Sequence, residues 1–501
     1  MREIRRIVIV GGGTAGWMTA AALALRLLGK DGEARWSLQL IESDEIGIVG
    51  VGEATIPPIR NFNAFIGLDE DEFLRETGGS FKLGIEFVDW GERGERYMHA
   101  FGDVGRPLDA LPFHQHWLRL GAPGSLADYS LNNQAALAGR FMRPRPEMAG
   151  SPLAGIAYAF HFDASRYAAL LRRHAEAAGV QRTEGRIARV ERDDGSGHIR
   201  RLVLQGGQVV DGDFFIDCSG LHALLIDKAL GVPFEDWSHW LPCDRAWAVP
   251  TASCGPLLPF TRATAQESGW QWRIPLQHRT GNGHVFASAF VDEATARETL
   301  LSQLEGEALA EPRIIRFRTG RRREAWVGNC VAIGLSSGFL EPLESTSIHL
   351  IQSAILRLIE LLPDTEFASA NAAEYNRQFA AEMESVRDFI ILHYKLTRRG
   401  DSPFWRHCRD MAVPESLWAR MDLFAAAGHL DRRGQELFSE PSWLQVFVGQ
   451  GLRPRGHHPL AELSARPRAQ AFVDDVRTVV RRCVEVMPSH ADFIAAHCAA
   501  P

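Results

Sequence analysis

The sequence predicts an α/β fold in which a sheet assembled from widely separated pieces carries an inserted second sheet and a helical C-terminal part. Three observations predict it. Residues 7–28 read as strand, glycine turn and helix; short β-like stretches return hundreds of residues later; and the composition turns helical after Pro363.

In chain order, residues 7–10 are β-formers, residues 11–16 are a glycine turn, and residues 17–28 are apolar with strong helix formers. A second strand over 37–41 ends at Glu42, and a glycine-rich loop runs from Gly47 to Thr55. A helix is expected at 165–178 and strands at 187–191, 199–204 and 214–217. Residues 331–334 read as a further strand, followed by a glycine-containing turn and a helix over 346–362. The expected division is a discontinuous core, 1–236 with 326–362, that includes the segment near residue 82. A tryptophan- and proline-rich sheet over 237–325 is inserted facing the substrate, and a helical region over 363–501 lies on the substrate side. No internal repeat or low-complexity tract interrupts this order.

With 501 residues and 46% hydrophobic side chains, the chain can bury a large core. Its net charge of -7 is mild and its basic residues are scattered, which argues against a nucleic-acid groove or a polybasic membrane arm. No apolar run reaches spanning length, and the first apolar segment runs into glycines, so the expected location is cytoplasmic. Seven cysteines, widely spaced and without a CxxC pair, argue against a disulfide framework and a metal site.

Gly11-Gly12-Gly13-Thr14-Ala15-Gly16 fits GxGxxG with a strand before it and a helix after it. Gly11 makes the tight turn, Gly13 lets backbone N–H groups approach a pyrophosphate, and Gly16 permits close helix-strand packing. The helix N-terminus, with Thr14 and Ala15, faces the phosphates, and Glu42 is placed to accept from a ribose. This Rossmann-like pattern does not choose between FAD and NAD. Residues 214–220 (FFIDCSG) and 334–339 (GLSSGF) resemble the distal flavin segments of FAD monooxygenases, which makes Gly334 and Leu335 further cofactor candidates. Leu335 stands where that pattern has aspartate. The fold class implied is a Rossmann-like FAD-binding domain of the flavin monooxygenase type.

Trp270-Gln271-Trp272-Arg273-Ile274-Pro275 matches WxWxIP, residues 341–347 (EPLESTS) contain PLEST, and residues 81–84 read Phe-Lys-Leu-Gly. By these motifs the chain resembles the flavin-dependent tryptophan and indole halogenases, over nearly its whole length. The resemblance implies that reduced FAD (FADH2) reacts with oxygen to a C4a-hydroperoxide, that chloride or bromide attacks it, and that hypohalous acid travels to an aromatic substrate. Lys82 would hold that acid by a hydrogen bond or capture it as a haloamine. Glu344 would polarise it or stabilise and deprotonate the ring cation. Thr346 and Ser347 would serve the halide, His99 and Phe101 the substrate wall, and Trp270, Trp272 and Pro275 the flavin side. Ser347 replaces the glycine of many relatives, which leaves the halide open.

Free-tryptophan halogenases clamp the amino acid with a Tyr-Tyr and glutamate arrangement, and residues 443–450 contain no tyrosine. Indole or an indole derivative is therefore expected in place of free tryptophan. No second dinucleotide motif is present for NADH, so the resemblance implies a separate flavin reductase as partner. The competing readings are an FAD-dependent aromatic hydroxylase, which shares the scaffold, and a non-catalytic flavin-binding redox sensor, which leaves Lys82 and Glu344 without a role. Oligomeric state is not encoded legibly.

Overall fold

The computed structural model describes residues 4–28, 36–45, 52–364, 366–431, 434 and 436–501. Of the glycine-rich loop, Gly47 to Val51 lie outside the described residues, and Gly52–Ala54 is a short strand. The chain divides into two compact units.

The first unit comprises Met1–Thr77, Phe162–His239 and Phe317–Glu384. Its six-stranded sheet runs, edge to edge, Trp326–Val327, Cys330–Ala332, Phe214–Asp217, Arg6–Val10, Ser37–Glu42 and Gln181–Glu184. The pairings are parallel except for the edge hairpin. Parallel strands are covered on both faces, which is why Ile7, Val8, Ile9 and Val10 are all apolar and all buried. The helix Thr14–Leu27 presents an alanine-rich buried stretch, Ala20–Ala24 by number, and packs on the helix Ala164–Ala177. Asp163 starts the latter by accepting the N–H groups of Ser165 and Arg166. The strands expected at 187–191 and 199–204 do form, as Ile187–Arg192 and Ile199–Leu204. They pair with each other in a separate antiparallel sheet, where Ile199, Leu202 and Leu204 are buried and no residue of Ile187–Arg192 is fully buried.

The second unit comprises Gly78–His161, Trp240–Arg316 and Ser385–Pro501. Its seven-stranded sheet takes five strands from the 237–325 segment, then Gly84–Val88 and Arg96–Ala100. Gly84–Val88 joins in parallel to Thr261–Gln266. The lysine segment, grouped by sequence with the nucleotide-binding pieces, lies in this unit: Ser80–Lys82 pairs with Ala159–His161, and the strand after it pairs with residues 261–264. Its C-terminal part is helical, with Pro403–Asp410, Glu415–Ala427, Glu440–Gly449, Arg466–Glu485 and His490–His497.

Candidate functional site

In the first unit four strand ends are tied together by three backbone hydrogen bonds. Gly11 N–H donates to Ile41 O at 2.8 Å, Cys218 N–H to Val10 O at 2.8 Å, and Ile333 N–H to Asp217 O at 3.0 Å. The crevice beyond carboxyl ends of parallel strands is where such sheets take ligands. Gly11 has φ +109°, a region that favours glycine, and a β-carbon there would lie 2.3 Å from Cys218 O. A β-carbon on Gly16 would lie 1.8 Å from Gly11 O, so helix and turn touch. At Gly13 a β-carbon would meet nothing within 4 Å among the described residues, so none of them covers the backbone at the start of the helix containing Thr14 and Ala15.

Glu42 is tied down more firmly than the sequence suggested. Arg182 Nε donates to its Oε1 at 2.6 Å, while its Oε2 lies over Gly12, where a β-carbon would come within 1.4 Å. Glycine at position 12 thus makes room for Glu42, a need that the GxGxxG spacing does not express. Asp217 was also passed over as a site residue. Fully buried, it accepts from Ser219 N–H and Oγ–H and from Leu225 and Ile226 N–H, fixing the turn after its strand.

Gly334 has φ +78° and sits against Ala15 and Ile351, and the Leu335 side chain beside it is 39% exposed. Further on, Pro342–Glu344 is a short 3-10 turn, Ser345 takes the left-handed conformation at φ +60°, and the helix Ser347–Glu360 begins after Thr346. A non-glycine residue held there costs on the order of 1 kcal/mol or more, and such strain collects at functional sites. Glu341, Glu344 and Thr346 are fully buried, and Thr346 Oγ1 has no hydrogen-bond partner among the described residues. One turn into the helix, His349 Nε2 lies 3.3 Å from Glu382, which also accepts from Arg357 and Ser353 at 2.8 Å. Burial pushes the Glu382 carboxyl up, but the hydrogen bonds and charges of His349 and Arg357 outweigh it and hold the group below the usual range. No motif pointed to this network, because its members come from two helices.

In the second unit Lys82 is fully buried on the strand Ser80–Lys82, with Nζ 5.4 Å from the centre of the Phe101 ring. His99, also buried, packs instead on Phe389 and Phe438 at ring distances of 5.4 and 6.1 Å. Between them Gln445 clamps Ala100: its Nε2 donates to the carbonyl at 2.9 Å and its Oε1 accepts the N–H at 3.1 Å. Trp270 and Trp272 are 6.2 Å apart, as alternate residues of one strand are when they share a face. Trp270 also lies 6.3 Å from Trp90 in an aromatic core, and Trp272 covers Gly283. Pro275, from the same signature, reaches the lysine strand, its carbonyl accepting Ser80 Oγ–H at 2.7 Å. No group of three metal-ligating side chains occurs among the described residues, and no described helix is long and apolar enough to cross a membrane.

A parallel sheet with a bare glycine cradle, together with the three spaced signatures, defines a flavin-dependent halogenase, and comparison with known proteins agrees. The family described as tryptophan halogenase matches residues 6–466, and the chain belongs to that family. It is 34% identical to tryptophan 7-halogenase RebH of Lentzea aerocolonigenes, over 98% of each chain. Among solved structures it is similar to Xcc4156, a flavin-dependent halogenase from Xanthomonas campestris, at 46% identity and TM-score 0.95, covering 100% of this chain and 99% of that one. It is likewise similar to BrvH, a flavin-dependent halogenase from Brevundimonas sp. BAL3, at 47% identity and TM-score 0.94, covering 99% of each.

Proposed function

We propose that this enzyme uses reduced FAD, oxygen and chloride or bromide to make hypohalous acid, and that Lys82 directs the acid onto an electron-rich aromatic ring, an indole or indole derivative in preference to free tryptophan. The observation that carries this reading is the burial of Lys82. An ammonium removed from water is costly, and a lysine at zero exposure beside an aromatic ring is poised to act on something brought to it.

Several features of the first unit fit a flavin dinucleotide. The bare backbone at Gly13 suits a pyrophosphate at the N-terminus of the helix containing Thr14, Ala15 and Gly16. Glu42 Oε2, on the side facing the glycine turn, suits a ribose hydroxyl, and the half-exposed Leu335 next to Gly334 gives apolar surface for a ring system to cover. Thr346 Oγ1 and the backbone of Ser347 at a helix start suit a halide, because the first-turn N–H groups have no intrahelical partners. Bound reduced flavin, supplied by a separate reductase, would furnish the electrons that activate oxygen for halide oxidation.

The protein's own part is then binding, orientation and proton handling. Lys82 Nζ would donate to the hypohalous oxygen, or form a haloamine with it, and so keep a diffusible oxidant beside one ring face. Glu344 would polarise that species or stabilise the ring cation and take its proton. Phe101 beside Lys82, His99 and the Trp270, Trp272 and Pro275 signature would shape and close the two sides. Preference for indole over the amino acid rests on the helix Glu440–Gly449. Its buried Trp443, Leu444 and Phe447 are not clamps for an ammonium or carboxylate, and its Gln445 is occupied by Ala100.

The reading is tested by incubating the protein with FAD, NADH, a flavin reductase, bromide and indole and measuring product mass. Added bromine supports it. Added oxygen indicates the hydroxylase, and unchanged indole with a flavin-loaded protein indicates the redox sensor.

A further inference from the structure

The strand that carries Lys82 is held by a buried chain of hydrogen bonds whose direction can be read. Ser80 Oγ lies 2.7 Å from Pro275 O and 3.0 Å from His161 Nδ1. A hydroxyl has a single proton, and the carbonyl can only accept, so Ser80 donates to Pro275. The Nδ1 contact must then be His161 Nδ1–H donating into Ser80 Oγ. At the other side of the ring, Nε2 lies 2.9 Å from Thr261 Oγ1. Burial first, then the positive charge of Lys82, holds the His161 imidazole well below its ordinary pKa, so the ring is neutral and, with the proton on Nδ1, Nε2 bears none. Thr261 O–H therefore donates to Nε2, and the chain runs from Thr261 through His161 and Ser80 to Pro275. Ser80 and His161 are at zero exposure and Thr261 is at 5%, so water does not compete.

Pairing fixes where this chain lies with respect to the lysine. Ser80 is opposite His161 and Lys82 is opposite Ala159. Residues two apart on a strand share a face, as do directly opposed residues, so Ser80, Lys82 and His161 project to one side and the small Ala159 leaves space beside the lysine. On the other side, Phe81 stacks on Phe141 at 4.0 Å, and Phe81 N–H donates to His490 Nε2 at 3.1 Å. His490 Nδ1–H donates to Leu257 O at 2.8 Å, and burial brings its pKa to about 4. Both histidines around the strand are thus neutral and committed to hydrogen bonds.

We propose that His161 is a positioning residue for Lys82: with both ring nitrogens engaged between Ser80 and Thr261, it fixes the direction of the lysine strand and presents the lysine with a neutral neighbour. This rests on the reading of Lys82 as the group that directs the oxidant. A protonated His161 could not accept from Thr261 and would set a second positive charge beside Lys82, opposing its ammonium form.

The test measures ring-halogenated product per reduced flavin oxidised, in full-length protein with bromide and indole. His161→Phe is expected to lower this ratio by about tenfold to a hundredfold, as small misplacements of a reacting group do, with flavin oxidation unchanged. His161→Asn, whose amide N–H can still donate toward Ser80, recovers part of it. Thr261→Val, which deletes the donor at nearly constant shape, lowers the ratio, and Thr261→Ser restores it. In 15N-histidine spectra at pH 7, the imidazole pair that shifts in Thr261→Val is expected to show a protonated Nδ1 and a bare Nε2. The proposal is overturned if folded His161→Phe and Thr261→Val both keep the parent ratio and regiochemistry, if Thr261→Ser behaves as Thr261→Val, or if Nε2 carries the proton. Lys82→Ala, run alongside, separates the two levels. If it still halogenates at the parent rate, the underlying reading fails. If it is inactive while the His161 and Thr261 variants match the parent, only the positioning role fails.

Discussion

In the proposed function single side chains carry the chemistry, and they differ in how plainly the sequence marks them. Glu344 stands in a PLEST segment, ends a 3-10 turn just before the left-handed Ser345, and is fully buried. Glu344→Gln keeps its shape and removes its charge, so ring substitution is expected to slow by about two to four orders of magnitude while halide-dependent flavin oxidation continues. Rapid-quench product analysis measures the first and flavin absorbance the second. Gly13→Val sets a branched side chain in the open space over the helix start. FAD affinity, followed by flavin fluorescence on titration, should fall at least tenfold, and an unchanged affinity would displace the pyrophosphate from Gly13. Gly13 stands out in the sequence because GxGxxG spacing expresses backbone geometry, whereas Glu344 stands out only through the resemblance of its PLEST segment. Arg182, which takes one oxygen of Glu42, does not stand out, since it lies 140 positions away and belongs to no motif. The same is true of His161, whose two hydrogen-bond partners, Ser80 and Thr261, come from two other strands.

At the scale of elements, local pattern and tertiary pairing contributed differently. The opening strand, turn and helix and the strands at 214 and 330 were readable, because a parallel strand buried on both faces is a short unbroken apolar run. The helix begins at Thr14, inside the glycine motif, because Gly13 already supplies an extended N-cap at φ −74° and ψ −174°. What local pattern could not express is which sheet a strand joins. Residues 84–88 are all buried, and pairing with residues 261–264, together with that of Ser80–Lys82 with residues 159–161, sets the lysine segment in the second unit. In the proposed function, the helix Glu440–Gly449 bears on substrate choice. With Trp443, Leu444 and Phe447 buried and no tyrosine on it, indole is expected to outcompete free tryptophan at equal concentration. Mass analysis of a mixed reaction decides this, and an excess of halotryptophan would mean that another segment holds the zwitterion.

The whole molecule carries an acid sensitivity that follows from its buried histidines. Burial, with smaller contributions from neighbours, holds His114, His284 and His490 at pKa values of about 4. Unfolding returns each to an ordinary value near 6.5, so below that pH the unfolded chain binds protons that the folded chain refuses. Stability is therefore intact at neutral pH and is lost as pH falls from 6.5 toward 4, on the order of 2 kcal/mol per histidine at pH 5. Glu53, raised by burial to about 7, acts in the opposite sense and offsets roughly one histidine by the same linkage. The melting temperature should drop steeply between pH 6.5 and 5, and His284→Gln should flatten that slope. Above this background stands the central claim, that halide oxidation and ring substitution are separate events and that Lys82 governs the second. The most direct test is a single turnover of Lys82→Ala with pre-reduced FAD, bromide, oxygen and indole, following flavin absorbance and product mass together. Flavin oxidation at the parent rate with no ring-brominated product is the predicted result, whereas brominated product at the parent rate and position would show that freely diffusing hypohalous acid does the work and that Lys82 does not direct it.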